Sequence, residues 1–170
     1  KFPMALGRSS FFIIILTVVI TSISPLHAEE KYSLDYFMTG LDDKTCEHVK
    51  GFAETHGYDF ENYWSGTAQT IAYYSYKIGC TDLFFKAIEA GANPIYGGYS
   101  GDLVATIISK STEVNSNDPN ACKNGKDWLT LIKNTGADLT YRLEYSFYTN
   151  EELLEYIEAS HCKELKRFLS

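Results

Sequence analysis

An internal repeat of helix–turn units constrains the fold of this chain more than any other feature. The step along the chain from Cys46 to Gly57 equals the step from Cys80 to Gly91, and the two cysteines are 34 residues apart. Each glycine is followed by a short turn that contains Asp or Asn. Such a unit buries its apolar face only against a neighbouring unit, so the pattern predicts a stack of helix pairs.

The clearest unit spans residues 70–94. Its first part predicts a short helix that ends at Gly79, and its second part predicts a helix that ends at Gly91, because glycine adopts the left-handed conformation of a helix C-cap. The second helix places its apolar residues on one face, and these are Leu83, Phe84, Ala87 and Ile88. Residues 128–138, which end in Gly-Ala-Asp, and residues 161–169 predict further helices of the same kind.

These units resemble the ankyrin repeat family. The best match starts with Thr70-Ile-Ala-Tyr73, has Gly79 in its middle and ends with Ala-Gly91-Ala-Asn-Pro94, and a second start lies at Gly101. The family's TPLH start is nowhere intact, and residues 111–124 interrupt the unit that begins at Gly101. The resemblance covers about residues 45–169 and implies an all-α fold, an ankyrin-like stack of three to four helix-pair repeats with disulfides. The alternative is a non-repeat helical bundle held by disulfides.

The first 28 residues have the layout of a secretory signal peptide. Arg8 supplies the positive charge, residues 11–20 are nearly all apolar, and a short breaker segment ends at the small residue Ala28. We therefore expect cleavage after Ala28, a repeat domain over residues 29–170, and a periplasmic or secreted location. A membrane anchor is the rival interpretation, but the apolar stretch is shorter than the roughly 20 residues that a spanning helix needs.

Four cysteines lie after this segment, namely Cys46, Cys80, Cys122 and Cys162. An even number in an oxidising compartment predicts two disulfides, with three possible pairings. Local pairing favours Cys46–Cys80 and Cys122–Cys162. Helices in contact are about 10 Å apart, however, and cysteines at strictly equivalent positions of a regular stack would then be too distant for a bond. Zinc ligands favour CxxC spacing, which is absent, so we predict no metal and no cofactor.

The charge balance indicates the kind of partner. The chain carries 15 basic and 22 acidic residues, and loss of Lys1 and Arg8 with the signal peptide changes the net charge from −7 to −9. Nucleic acids and anionic lipids need a positive surface, so neither fits. A basic protein fits better, although acidity also serves plain solubility.

No motif predicts an enzyme. His48, His56 and His161 have no ligand spacing, and the neighbours His161 and Cys162 point to different faces if they are helical. Glu151, Glu152, Glu155 and Glu158 resemble paired catalytic carboxylates, but their helical spacing is typical of a solvated face.

Aromatic residues at turns and on the first helix of a unit predict the binding surface, since tyrosine and tryptophan are enriched in protein interfaces. Ankyrin stacks bind through these turns and inner helices, which is what the resemblance implies. Tyr73 and Tyr76 are expected to pack between repeats. The expected partner-binding residues are Tyr58, Trp64, Tyr74, Lys77, Tyr96, Tyr99 and Asp102.

These features together predict an exported protein-binding module. Small exported repeat proteins of this kind resemble periplasmic immunity proteins, so the leading hypothesis is that the chain binds and inhibits a cognate basic toxin. A secreted ankyrin effector that binds a host protein is the alternative. A hydrolase with an unrecognised site is the third hypothesis.

Overall fold

A computed structural model of the chain describes residues 45–62, 69–97, 101–113, 118–144 and 146–170. The predicted signal peptide and the predicted contact residues Trp64 and Tyr99 lie outside these ranges. Across them, no helix combines the length and the apolar composition that crossing a bilayer requires.

The described part is mostly helical, in agreement with the predicted all-α class. Its α-helices are α1 (Cys46–His56), α2 (Ile71–Ile78), α3 (Thr81–Glu89), α4 (Leu103–Thr112), α5 (Ala121–Asn134) and α6 (Asn150–Ala159), followed by a 3-10 helix (Lys163–Phe168). Strands β1 (Glu61–Asn62) and β2 (Gln69–Thr70) form a two-residue antiparallel pair in which Glu61 lies opposite Thr70. The ankyrin assignment and the repeat count stay predictions.

Helices α2, α4 and α6 begin in the same way. The N-cap residues Thr70, Asp102 and Thr149 each accept a hydrogen bond from a backbone N–H in the first turn of the helix. Caps of this kind stabilise a helix by about 1 kcal/mol. At the other end of α2, Gly79 adopts a left-handed conformation with φ of 75°, as the sequence predicted.

The apolar residues form two clusters. The first surrounds α1, α2 and α3, and its largest members include Phe52, Ile71 and Tyr74. The second surrounds α4, α5, α6 and the 3-10 helix, and it extends to Phe84 of α3. Trp128 of α5 connects the two halves, since its ring contacts Tyr76 and Phe84 edge-on at centroid distances of 5.5 and 5.6 Å.

Two disulfides, Cys46–Cys80 and Cys122–Cys162, form the locally favoured pairing, with Cα–Cα distances of 5.7 and 5.4 Å. The objection from helix spacing assumed strictly equivalent positions in a regular stack, and that condition is not met. Cys46 is the first residue of α1, whereas Cys80 is the N-cap of α3, so the positions are not strictly equivalent. Both lie at helix starts, and their Cα atoms are 5.7 Å apart.

Two predicted boundaries need correction. Helix α4 continues to Thr112 and α5 begins at Ala121, so the segment between them is shorter than the predicted insertion at 111–124. Cys122 is therefore helical and does not lie in a loop. The C-terminal segment is a 3-10 helix that buries Leu165 and Phe168 and exposes its charged residues, as expected of a polar cap.

Candidate functional site

Tyr74 does not lie on the surface, so its predicted role as an exposed contact residue is wrong. It is fully buried in the first apolar cluster, together with Phe52 and Ile71. Tyr74 follows Ile71 by three residues, so both lie on the face of α2 that packs into this cluster. Burial raises the pKa of its phenol, and the neighbouring Tyr73 adds to the effect. Tyr74 therefore stabilises the fold.

Tyr96 and Asp102 are also buried, which contradicts their predicted roles in binding. They face each other in an isolated antiparallel bridge, and the Thr70 hydroxyl donates to the Tyr96 carbonyl at 3.2 Å. The Asp102 carboxylate caps α4 by accepting from the Ala105 N–H at 2.9 Å. Both residues thus hold the turn between α3 and α4, Tyr96 through its backbone and Asp102 as the helix cap. Their side-chain types alone did not reveal this structural role.

Asp102 is further held by an ion pair with Arg142. Its Oδ2 lies 2.9 Å from Arg142 Nη1, and the Arg142 Nη2 also donates to the Leu139 carbonyl. Burial raises the pKa of Asp102, whereas Arg142 and the backbone N–H of Ala105 act to lower it. This pair ties the start of α4 to the turn that precedes α6.

The remaining predicted contact residues have different surroundings. Tyr58 is half-buried, and its ring lies 5.5 Å from the Lys86 Nζ, so part of its surface is used within the fold. Lys77 is exposed at the end of α2. It borders a surface groove formed by residues of α2, α4 and α5.

This groove, which we call the α2–α4 groove, has a volume of about 620 Å³ and is open to solvent. Its α2 side carries Tyr73, Tyr76 and Lys77, its α4 side carries Thr106, Lys110 and Glu113, and its base is formed at the start of α5 by Asp118, Ala121, Asn124, Gly125 and Trp128. Tyr73 and Tyr76 were expected only to pack, and they do pack against the second cluster while also lining the groove.

Two close packing contacts border the groove. Gly125 has no side chain, so α5 approaches α4 closely, and a Cβ at this position would overlap the Ser111 hydroxyl. On the opposite side, the edge-on contact between Tyr76 and Trp128 places two aromatic rings between α2 and α5. Gly125, Tyr76 and Trp128 all line the α2–α4 groove.

A second depression, of about 330 Å³, lies on the other side of the same α4 end. We call it the α4–α6 depression, and it is lined by Ser109, Lys110, Thr112, Glu113, Tyr148 and Tyr156. Lys110 and Glu113 border both hollows, and their charged atoms are 4.0 Å apart. The two hollows and this shared ridge form one surface across three helices, which we call the α2–α4–α6 face.

The described residues of this face offer mixed chemistry. Lys77 and Lys110 supply cations, and Glu113 and Asp118 supply carboxylates. Burial raises the pKa of Tyr76 to about 12, so its phenol keeps its proton at neutral pH and can donate or accept a hydrogen bond. Such a surface is equipped to bind polar and aromatic groups.

The sequence reasoning missed the aromatic residues before and on α6. Tyr148 and Tyr156 contact each other edge-on with centroids 5.7 Å apart, and Tyr156 is 45% exposed. Tyr141 and Phe147 on the preceding turn are exposed more than half. The signal was present, since residues 141–148 are as rich in aromatics as the two turns that were selected.

Comparison with known proteins does not extend this description. No protein-family model, curated protein or solved structure matches the chain.

Proposed function

We propose that this chain is an exported protein-binding module whose partner docks across the α2–α4–α6 face. The observation that carries the proposal is the pair of open hollows on either side of Lys110 and Glu113. A small-molecule site encloses most of its ligand, whereas two open hollows that share a ridge suit a surface that projects into both. A protein partner supplies such a surface.

The residues of this face are those that carry binding energy in protein interfaces. Tyr73, Tyr76 and Trp128 line one hollow, and Tyr148 and Tyr156 line the other. Tyrosine and tryptophan are enriched among interface hot spots because they bury a large area for few rotatable bonds. Several of these rings already contact one another edge-on, so little ordering remains to be done on binding.

The charge around the face favours a basic partner. Glu151, Glu152 and Glu155 are exposed on α6, and Glu152 lies one helical turn before Tyr156. Carboxylates around an aromatic surface attract a basic protein at long range and accelerate association, while the aromatic contacts slow dissociation. The net charge of −9 expected after signal cleavage acts in the same direction.

The partner that we propose is a basic toxin whose active site the chain covers, which makes the chain an immunity protein of the periplasm. The signal peptide predicted at residues 1–28 and the two disulfides support an exported location. An acidic, aromatic surface is suited to cover a basic catalytic cleft, as inhibitors of such enzymes do. An ankyrin-like stack is the proposed scaffold for this surface.

The test is binding by the chain from Glu29 onward, with its disulfides oxidised, to the products of neighbouring genes and to periplasmic extract. Tyr73→Ala removes a ring from the α2–α4 groove, and Tyr156→Ala removes one from the α4–α6 depression. Each is expected to raise the dissociation constant at least about tenfold. Phe85→Ala is the matched control, because Phe85 is 40% exposed on α3 and borders neither hollow.

A stoichiometric partner whose toxicity is blocked by the wild-type chain, and less well by both tyrosine variants, would support the whole proposal. Equal losses in the tyrosine variants and in Phe85→Ala would refute the location of the site. Absence of any protein partner would refute the proposed function.

A further inference from the structure

Three groups that are ligands of soft and borderline metal ions meet at the C-terminal disulfide. The Sγ atoms of Cys122 and Cys162 and a ring nitrogen of His161 all lie within 4.8 Å of one another. The two sulfurs are bonded to each other, so the cluster is closed in the oxidised protein. Two thiolates and an imidazole are a ligand set that Zn²⁺ takes in proteins.

Separate elements hold these groups together. Cys122 lies in the first turn of α5, and Cys162 is the N-cap of the 3-10 helix that packs on α5. Lys126 and Glu164 form an ion pair across the same two elements at 3.5 Å. Cys162 is buried and His161 is exposed, so the cluster has a protein side and an open side.

We propose that reduction of the Cys122–Cys162 disulfide converts this cluster into a binding site for one Zn²⁺-like cation. A dithiol reductant transfers two electrons and two protons to the S–S bond and becomes a disulfide itself, which leaves two thiols. The cation then displaces one proton from each thiol and accepts the neutral imidazole of His161. Three protein ligands leave the fourth tetrahedral position open to water or to a side chain of a partner.

The geometry allows this change without movement of the backbone. Bonds of about 2.3 Å from each sulfur to a tetrahedral zinc put the sulfurs roughly 3.8 Å apart. Cα atoms that are 5.4 Å apart reach this separation when the two side chains rotate about their Cα–Cβ bonds. Metal therefore replaces the disulfide as the connection between α5 and the 3-10 helix.

The other disulfide provides a matched control within the chain. In the part of the chain that the structure describes, no third Cys, His, Asp or Glu completes a comparable group around Cys46 and Cys80. The two disulfides have similar Cα–Cα distances, so both present a pair of thiols on reduction. The difference between them is the imidazole of His161.

The cluster also lies behind the base of the α2–α4 groove. Ala121 and Asn124, on either side of Cys122 in sequence, line the groove, and the Cys162 Sγ is 3.0 Å from the carbonyl oxygen of Ser111, another lining residue. The redox and metal state of the cluster thus acts on the wall of the proposed binding face.

The experiment is an anaerobic titration of the chain from Glu29, reduced with a phosphine, with Co²⁺ as the spectroscopic probe for Zn²⁺. We expect one Co²⁺ per chain, a thiolate-to-cobalt charge-transfer band and tetrahedral visible bands. His161→Ala should weaken binding by at least the roughly 10–100-fold that loss of a mere outer-shell partner costs. Cys46→Ser with Cys80→Ser should keep the spectrum, and Cys122→Ser with Cys162→Ser should lose it.

Far-ultraviolet circular dichroism of the same samples verifies that the reduced, metal-loaded chain keeps its helices. The proposal is overturned if reduced wild-type chain gives no thiolate band, or if His161→Ala leaves the affinity unchanged. It is also overturned if the spectrum persists without Cys122 and Cys162, or if it appears only in a chain that has lost its helical signal.

Discussion

The buried ion pair between Asp102 and Arg142 gives the sharpest test of the fold. Asp102 is completely buried and Arg142 is only 13% exposed, so little solvent screens the pair. Replacement of Arg142 with methionine keeps an apolar stem of similar length but leaves the Asp102 carboxylate without its cation. Breaking a buried pair in this way costs about 3–5 kcal/mol of unfolding free energy. We expect about 3 kcal/mol, because the Ala105 N–H still donates to the carboxylate.

The unfolding free energy lost in Arg142→Met should increase as the pH rises. Burial already raises the pKa of Asp102 above its ordinary value, and Arg142 opposes this rise. In Arg142→Met the pKa of folded Asp102 rises further, so the folded state binds its proton more tightly than the unfolded state does. A group with a raised folded pKa loses its stabilising effect as pH rises, by up to about 1.4 kcal/mol per pKa unit. The difference in unfolding free energy between wild type and Arg142→Met should therefore be larger near pH 7.5 than near pH 4.5.

The assay is urea unfolding of the oxidised chain, followed by circular dichroism at both pH values, for wild type, Arg142→Met and the double variant with Asp102→Asn. Asparagine is still a good N-cap and carries no charge, so the double variant should be more stable than Arg142→Met alone by at least about 1 kcal/mol. A deficit below about 1 kcal/mol near neutral pH, a deficit that grows on acidification, or a double variant no better than the single one would refute the reasoning.

Two further substitutions test the packing that shapes the α2–α4 groove. Gly125→Ala places a new Cβ against the Ser111 hydroxyl and 2.9 Å from the Ser111 Cβ. We expect this overpacking to lower the unfolding free energy by about 1–3 kcal/mol despite alanine's better helix propensity. Thermal melts of Gly125→Ala with and without Ser111→Gly measure it, and a stable Gly125→Ala would contradict the close approach of α4 and α5. Trp128→Leu removes the ring that contacts Tyr76 and Phe84, and should cost about 2–4 kcal/mol in urea unfolding. A change below about 1 kcal/mol would show that these contacts do not hold the two halves together.

Local signals predicted the helices well. Gly79 ends α2 where the sequence placed it, and Leu83, Phe84 and Ala87 form the buried side of α3. These features depend on neighbours in the sequence, namely a residue that tolerates the left-handed conformation and a periodicity of 3.6 residues. The pairing of the cysteines was also predicted by locality, although helix spacing alone had argued against it.

The candidate site was harder to predict because it depends on contacts between elements. Tyr74 was placed outside by comparison with a family motif, whereas its packing with Phe52 and Ile71 buries it. Asp102 has the side chain of a surface residue, and only the turn that brings Arg142 beside it explains its burial. Lys77 borders the α2–α4 groove, but that groove also involves Trp128 and Gly125 of another helix, which no single helix reveals.

The two disulfides leave one boundary of the fold without a covalent cross-link. Cys46–Cys80 fastens α1 to the start of α3, and Cys122–Cys162 fastens α5 to the C-terminal 3-10 helix. Neither bond connects the first half of the fold to the second. That junction is held by noncovalent contacts around Trp128, and the α2–α4 groove opens along it. A partner in the groove would touch both halves at once, so binding would stabilise the boundary that the covalent framework leaves unsecured.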